Sequence, residues 1–315
     1  MKYIFLGYLN RSGSTYLLNQ LSKSDKICVC PEADILYDAL LKKPNAMCKP
    51  DTKNINFIMT DAKMSGWRLD GSELKKILSQ KTYNYRIFLD IINLFHDMHY
   101  PEADYTAFKH NSIFKLNSCS DPAILKLIWW IRLIRDPFDT YASQKVTISP
   151  NTQRAMCQNV YEFYSNFRLF QGPILPNNIY NLRYEELIND YNRVLGDLFL
   201  FLGIKEDISD FRKKKGKVVH YMLPTYRGIH RSVDLPPDLT RIKRHEGVLT
   251  DYETYVLNKL CSLQEQKFTA YSPVVYFKYH LHLGFDILKY YTSARFLKKR
   301  LISTTLNLTI DSKSG

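Results

Sequence analysis

The chain has 315 residues, of which 45% are hydrophobic and 24% are charged. This composition excludes a disordered chain, because it supplies enough apolar surface for one large core. Lys and Arg outnumber Asp and Glu by 44 to 31, a net charge of +13. Such an excess favours an anionic ligand, without choosing among nucleic acid, anionic lipid and an anionic nucleotide.

The cysteines and the apolar runs indicate the compartment. Six cysteines are scattered along the chain without the spacing of a zinc ribbon, and we expect them to be reduced thiols. The N-terminal apolar run is too short for a signal peptide. No uncharged apolar stretch reaches the roughly 18 residues that a membrane-spanning helix needs. These features predict a cytoplasmic protein.

Short apolar runs alternate with amphipathic segments. Strands are predicted at Tyr3–Leu6, Tyr105–Phe108, Trp129–Ile134 and Ile179–Leu182. Helices are predicted at Ser14–Leu21, at Tyr85–His99, at Asn151–Phe170, around Leu187, through Val194 to Leu202, and from a capping box at Thr250 toward Leu263. The alternation predicts the α/β class, with a three-layer fold whose central, mostly parallel sheet is covered by helices on both faces.

The C-terminal region differs from the rest of the chain. We expect one domain over 1–274, followed by a basic amphipathic extension over 275–315. Apolar residues recur there at helical spacing from Ile287 to Leu301, beside several Lys and Arg. Such a helix either lies on an anionic membrane or packs on the domain or a second subunit.

A loop rich in small residues, Asn10-Arg11-Ser12-Gly13-Ser14-Thr15, separates the first predicted strand from the first helix. Its backbone N–H groups and the positive helix end can hold a phosphate, or the loop is only a tight turn with a Ser helix cap. A nucleoside-triphosphate P-loop has a Lys after its second Gly, where this loop has Ser14. Arg11 instead suits a phosphate–sulfate oxygen better than a metal-chelated triphosphate.

A second anion site is predicted after the third strand. Arg135 ends that strand, and Ser143 follows eight residues later, within two turns of the helix that Pro137 starts. An Arg at a strand end and a Ser facing back from the next helix can bind a separate phosphate. The alternative is a salt-bridged helix start that binds nothing.

These two motifs, in this order, resemble the PAPS-dependent sulfotransferases, which move a sulfuryl group from 3′-phosphoadenosine 5′-phosphosulfate (PAPS) to a hydroxyl. The resemblance covers roughly Tyr3 to Gly203 and implies that the three-layer fold is P-loop-like. It implies that PAPS and its product, adenosine 3′,5′-bisphosphate (PAP), bind here. The resemblance places the 3′-phosphate at Arg135 and Ser143 and the adenine near Tyr184. It places the 5′-phosphosulfate at the loop residues Arg11, Ser12, Gly13, Ser14 and Thr15.

The spacing of two further residues is most similar to tyrosylprotein sulfotransferases and bacterial glycolipid enzymes. Glu32 follows Arg11 by 21 residues, where that pattern has the acceptor base, and Lys109 precedes Arg135 by 26 residues, where it has a Lys. The resemblance implies that Glu32 takes the hydroxyl proton while Arg11 and Lys109 neutralise the leaving phosphate. His110 is the competing base, because small-molecule sulfotransferases use a His near the equivalent Lys. Without the resemblance, Glu32 is a surface carboxylate opening a helix.

Two basic segments follow the last strand. The sulfotransferases close a flexible loop over the nucleotide, and the resemblance places Arg231 and Ser232 in it; the alternative is a basic solvated loop. Residues 213–217, with four Lys, are expected to be a solvated loop or a flap over an anion.

The acceptor is expected to be a glycan or glycolipid hydroxyl, ahead of tyrosine or a small phenol. The segment Pro31-Glu32-Ala33-Asp34 lacks the Glu-Thr-Arg that contacts a peptide in the tyrosylprotein enzymes, which weighs against a tyrosine peptide. No metal is expected, because PAPS is already activated. A lipid-linked acceptor would suit a peripheral membrane location.

Two other classes of function remain. A P-loop kinase or NTPase is disfavoured by the missing loop Lys and by the lack of a clear strand-end Asp for Mg²⁺. A non-catalytic module that binds nucleic acid is favoured by the net charge but by no recognition motif.

Overall fold

The computed structural model describes residues 1–47, 52–149, 152–171, 176, 178–218, 233–235, 238–261, 279 and 281–286. Five strands there form one sheet in the order β2-β3-β1-β4-β5, and every neighbouring pair is parallel. They are β1 (Lys2–Tyr8), β2 (Ile27–Val29), β3 (Tyr105–Lys109), β4 (Ile128–Ile134) and β5 (Ile179–Arg183). The four predicted strands are present, and the edge strand β2 was not predicted.

Helices connect the strands and follow the last one. They are α1 (Ser14–Leu21), α2 (Asp34–Leu36), α3 (Thr52–Met59), α4 (Ala62–Ser65), α5 (Gly71–Leu78), α6 (Asn84–His99), α7 (Pro122–Leu125), α8 (Pro137–Val146), α9 (Val160–Gln171), α10 (Tyr184–Asn189), α11 (Tyr191–Leu202) and α12 (Asp251–Leu260). A π-helical turn, Tyr37–Leu41, continues α2, and 3₁₀ turns cover Ile113–Ser118 and Leu239–Arg241.

Each face of the sheet carries its own buried core. Phe5, Phe108 and Trp130 belong to one core, together with side chains of α6 and α9. Leu6 and Ile131 point to the other face, among side chains of α1 and α11. Alternate residues of each strand therefore enter opposite cores, as a sheet buried on both faces requires. The predicted α/β class, with a parallel sheet between two helical layers, is confirmed.

The helix predicted at Asn151–Phe170 is wrong in its first half. Ile148 and Ala155 pair as an antiparallel bridge, and Met156 N–H donates to Thr147 O at 2.9 Å. Gln153 has a positive φ of 54° there, outside the helical region. The helix begins only at Val160. Asn159 caps it, because its side-chain oxygen accepts hydrogen bonds from the N–H groups of Tyr161 and Glu162 in the first turn.

Residues 213–217 lie far from the predicted phosphate loop. Lys217 donates its backbone N–H to Ser22 Oγ at 2.8 Å, and its Nζ lies 2.8 Å from Asp25. Ser22 follows the last residue of α1, about 12 Å along the helix from the loop. Lys217 therefore packs at the end of α1 opposite the predicted phosphate loop, and the choice between a solvated loop and a flap over an anion stays a prediction.

The predicted C-terminal extension is described only in part. Residues 281–286 are helical, and Asp286 accepts a hydrogen bond from Tyr252 of α12 at 2.8 Å. The amphipathic stripe from Ile287 to Leu301 lies outside the described residues, and the boundary at 274 stays a prediction. In the described part of the chain, no helix is both long and apolar enough to cross a membrane.

Candidate active site

The loop between β1 and α1 turns through two residues with left-handed backbone conformations. Arg11 has a φ of 71° and Gly13 a φ of 91°, both in the left-handed region. A Cβ on Gly13 would lie 2.4 Å from the ring of Tyr184, so this position needs glycine for its space as well as its conformation. The predicted Ser helix cap is absent, because Gly13 itself holds the N-cap position without a side-chain bond.

The loop presents donors that an anion can use. The N–H groups that open a helix have no partner within it, and the first backbone bond of α1 runs from Leu17 N–H to Gly13 O at 3.0 Å. Ser12 Oγ is buried without a hydrogen-bond partner among the described residues. A buried hydroxyl in this state is costly unless a ligand satisfies it, so the loop fits a phosphate or sulfate group.

Lys109 ends β3 and reaches into this loop. Its Nζ lies 2.8 Å from Thr15 Oγ1, 3.4 Å from Ser14 Oγ and 3.5 Å from Glu32 Oε1. The side chain is buried, and burial lowers the pKa of Lys109 while Glu32 opposes that shift. One buried cation therefore contacts both the phosphate loop and the predicted base.

Glu32 follows β2 and is held on both carboxylate oxygens. Its Oε1 accepts a hydrogen bond from the hydroxyl of Tyr8 at 2.8 Å, and its Oε2 lies 3.7 Å from Nζ of Lys63. Lys63 also pairs with Asp34 at 2.6 Å. The Glu32 side chain is 27% exposed, so a molecule from solvent can reach it. It is a fixed carboxylate beside the loop rather than a freely solvated one.

His110 lies beside Glu32 in a different state. Its ring stacks on Tyr37 with centroids 4.0 Å apart, and burial lowers the pKa of His110 to about 4. Its Nδ1 lies 3.1 Å from the backbone N–H of Ser112 and accepts that hydrogen. The neutral ring therefore carries its own proton on Nε2, which lies 3.7 Å from Asp34. Its lone pair is already occupied, which disfavours His110 as a base.

The second predicted anion site lies against the first. Nη1 of Arg135 donates to Arg11 O at 2.8 Å, and Nε of Arg11 donates to Ser143 Oγ at 3.3 Å. The Arg135 guanidinium stacks 4.7 Å from the ring centroid of Tyr184. Arg135, Ser143 and Tyr184 are all buried. A strand end, a helix and the β5–α10 junction thus bring the predicted residues together beside the loop.

A buried carboxylate on α8, the helix that carries Ser143, binds the segment 243–245. Asp139 accepts from the backbone N–H groups of Lys243 and His245 at 2.7 and 3.0 Å, and its Oδ1 lies 2.8 Å from His245 Nδ1. Asp136, Asp139 and His245 form a cluster with metal-ligand spacing, but Asp136 Oδ1 already caps α8. These contacts hold residues 243–245 against α8. The predicted nucleotide residues Arg231 and Ser232 lie outside the described residues.

Two residues of the site were not predicted. Tyr8 ends an apolar strand directly before the loop. Its hydroxyl at the end of an otherwise apolar strand is the sequence feature that could have identified it as a site residue. Lys63 comes from α4, between two regions without a readable motif. Only the fold shows that both contact Glu32.

No known protein-family model matches the chain, and no curated protein does. Similar solved structures are sulfotransferases. The sulfotransferase domain from the curacin biosynthetic pathway is 16% identical, with 83% of this chain and 97% of that chain covered and a TM-score of 0.48. The sulfotransferase domain from the Synechococcus PCC 7002 olefin synthase is 15% identical, with 83% and 94% covered and a TM-score of 0.49.

A mouse sulfotransferase, SULT7A1, is a further similar structure and was crystallised with PAP. It is 13% identical, with 84% of this chain and 85% of that chain covered and a TM-score of 0.43.

Proposed function

We propose that this protein transfers a sulfuryl group from PAPS to an acceptor hydroxyl by in-line displacement, with Glu32 as the base. The observation that carries the proposal is the position of Lys109. Its Nζ contacts the hydroxyls of the anion-binding loop and lies 3.5 Å from the Glu32 carboxylate. A donor sulfuryl group bound at the loop and a hydroxyl at Glu32 would meet beside this cation.

The two anion sites support a nucleotide with two separate phosphates. The loop and Ser12 Oγ would bind the 5′-phosphosulfate, while Arg135 and Ser143 would bind the 3′-phosphate. PAPS supplies an activated sulfuryl group. Arg11 and Lys109 would stabilise the negative charge that grows on the leaving phosphate, the electrostatic role that a metal has in phosphoryl transfer.

Glu32 is the better candidate for the proton. Its carboxylate is held by Tyr8 and Lys63 and is partly open to solvent, whereas the lone pair of His110 is engaged by Ser112. A positioned base contributes about 10²–10⁴-fold to such a reaction. His110 can instead donate from Nε2 and orient an acceptor oxygen.

A glycan or glycolipid is the proposed acceptor class. Charged and polar groups surround Glu32: Lys63 pairs with Asp34, and Asp34 lies 3.7 Å from His110. Such a polar wall can exchange hydrogen bonds with several hydroxyls of a sugar, whereas a steroid or simple phenol offers it only one. A tyrosine or phenol acceptor remains the second candidate within the same reaction.

Calorimetry on the full chain tests the nucleotide site. We expect PAP to bind in the micromolar range or tighter, and adenosine 5′-monophosphate, which lacks the 3′-phosphate, about 10- to 100-fold more weakly. Arg135→Gln should remove most of that difference, and Arg193→Gln, on the exposed face of α11, should keep it. Equal affinity of the wild type for both nucleotides, or for PAP and ATP, contradicts the proposal.

Mass spectrometry with PAPS and a panel of glycans and phenols tests the reaction itself. We expect a mass increase of one sulfuryl group on a sugar hydroxyl and the release of PAP. Sulfation of phenols alone would leave the reaction standing and remove the proposed acceptor class.

A further inference from the structure

Arg132 is a charged residue in an interior strand. It belongs to β4, which lies between β1 and β5. The side chains of Ile128 and Trp130, which share its face of the sheet, are buried in the core that includes α9. Its neighbours on the adjacent strands are Gly7 and Asn181, neither of which is charged. Arg132 therefore continues an apolar row where a cation is not expected.

The described surroundings of Arg132 do not neutralise it. Its guanidinium lies 4.9 Å from the ring centroid of Phe170, and its buried Nε has no hydrogen-bond partner in the part of the chain that the structure describes. Among the described residues, no carboxylate forms an ion pair with it, and burial is the sole cause that lowers the pKa of Arg132. Removing part of a guanidinium from water without a counter-charge is unfavourable, so this arrangement favours an external anion.

The position of Arg132 relates it to the site. Lys109 of β3 pairs with Leu6 of β1, and Leu6 pairs with Ile131 of β4. His110 N–H still donates to Leu6 O at 3.1 Å, and continuing this register by one residue places His110, Gly7 and Arg132 side by side, with His110 and Arg132 on the same face. Adjacent strands are about 4.8 Å apart, so roughly 10 Å separates the backbones of Arg132 and His110. The ring of Phe114 covers Gly7 between them.

We propose that Arg132 binds an anionic group of the acceptor, a carboxylate or a sulfate, at a distance from the hydroxyl that is sulfated. The inference rests on the proposed function and makes it more specific: the acceptor is an acidic sugar rather than a neutral one. Arg suits this role because its planar guanidinium forms paired, charge-assisted bonds to either group. Phe170 holds the plane of the guanidinium from one side.

Three p-nitrophenyl glycosides test this: the β-glucoside, the β-glucuronide and the 6-sulfated β-glucoside. Their binding to the PAP-saturated full chain is measured by calorimetry or ligand-observed NMR, which does not require turnover. We expect at least one acidic glycoside to bind about 10-fold or more tightly than the neutral one. Tighter binding of the glucuronide would indicate a site for a carboxylate, and tighter binding of the sulfated glucoside would indicate a site for a sulfate.

Arg132→Gln should bind the three glycosides with equal affinity while its affinity for PAP stays unchanged. Arg132→Lys should keep part of the preference for the acidic glycosides. Arg193→Gln is the matched surface control and should keep the wild-type preference. The inference fails if the wild type binds neutral and acidic glycosides equally, or if Arg132→Gln retains the preference. Either failure leaves the proposed function intact when PAP binds normally, whereas loss of PAP binding by the wild type overturns the proposed function itself.

Thermal unfolding separates a binding role from a structural one. A half-buried cation without a partner stabilises little, so Arg132→Gln should keep or raise the melting temperature of the ligand-free protein. A large fall in melting temperature would show that Arg132 is needed for folding and would overturn the inference.

Discussion

The hydroxyl of Tyr8 donates a hydrogen bond to Oε1 of Glu32 at 2.8 Å. Tyr8 is buried, and burial raises its pKa well above 10, so the hydroxyl keeps its proton and acts as a donor across the working pH range. Nζ of Lys109 lies 5.0 Å from the centroid of the same ring. One tyrosine at the end of β1 therefore contacts both the base and the cation of the proposed reaction.

Tyr8→Phe should preserve the ring and remove only this hydrogen bond. We expect kcat to fall about 3- to 10-fold, because a bond of this kind contributes about 0.5–1.5 kcal/mol. A donor to a carboxylate lowers its pKa, so its loss should raise the pKa of Glu32 and move the acidic limb of the kcat/KM profile to higher pH. The measurement is PAPS-dependent turnover over a range of pH.

Tyr3→Phe is the matched control. Tyr3 is also a buried tyrosine of β1, and its hydroxyl donates to Asn93 Oδ1 at 3.0 Å, away from the site. The Tyr3→Phe substitution should leave the pH profile of kcat/KM unchanged. The same profile in both variants would show that Tyr8 has no role in positioning Glu32.

Glu32→Gln should keep the fold and the affinity for PAP but lose about 10²–10⁴-fold in kcat, because an amide of the same size cannot accept the proton. His110→Gln should cost much less, because the neutral ring has no lone pair available for a substrate proton. Single-turnover sulfation with saturating PAPS measures both variants. Full activity in Glu32→Gln together with inactivity in His110→Gln would transfer the role of base to His110.

Gly13→Ala should weaken PAP binding strongly and lower the free energy of unfolding. The new Cβ would meet the Tyr184 ring at 2.4 Å, and the φ of 91° adds about 1–2 kcal/mol of backbone strain. Gly247→Ala is the control, because Gly247 has a φ of 79° but no neighbour within 4 Å of the added carbon. Chemical denaturation and PAP titration should show a larger effect at Gly13 on both measures, and equal effects would contradict the close packing of the loop on Tyr184.

His245 should make the stability of the protein depend on pH. The hydrogen bond that the His245 ring donates to the Asp139 carboxylate raises the pKa of His245, while burial opposes the shift. A pKa that is higher in the folded state adds stability that is fully present below the unfolded value of about 6.5 and is lost as pH rises through the raised value. The free energy of unfolding of the wild type should therefore exceed that of His245→Gln most at pH 5–6, roughly one pH unit below that unfolded value.

Denaturant titrations at several pH values measure this effect. Asp139→Asn removes the carboxylate that contributes most to the raised pKa of His245, so in that background the pH-dependent effect of His245→Gln should be much smaller. A difference between wild type and His245→Gln that is constant from acidic to alkaline pH would show that the pair contributes no charge interaction.

The repeated pattern of apolar residues was enough to predict most of the sheet and several helices. The helix at Ser14–Leu21 has the predicted bounds, because its periodicity and its flanking loop are local features. β2 was not predicted, because three residues are too few to show a period. The prediction for Asn151–Phe170 was wrong at its start, since the turn at Gln153 depends on pairing with Thr147 rather than on local propensity.

The two motifs predicted to bind anions could be found in the sequence, because a loop at a strand end and an Arg–Ser pair on consecutive elements are each encoded within a few neighbouring residues. The groups around Glu32 could be found only from the folded chain. Tyr8, Lys63 and Lys109 come from β1, α4 and β3, and the strand order and helix packing bring them to one carboxylate. Such contacts between distant segments follow from the burial of both sheet faces, which no short stretch of sequence encodes.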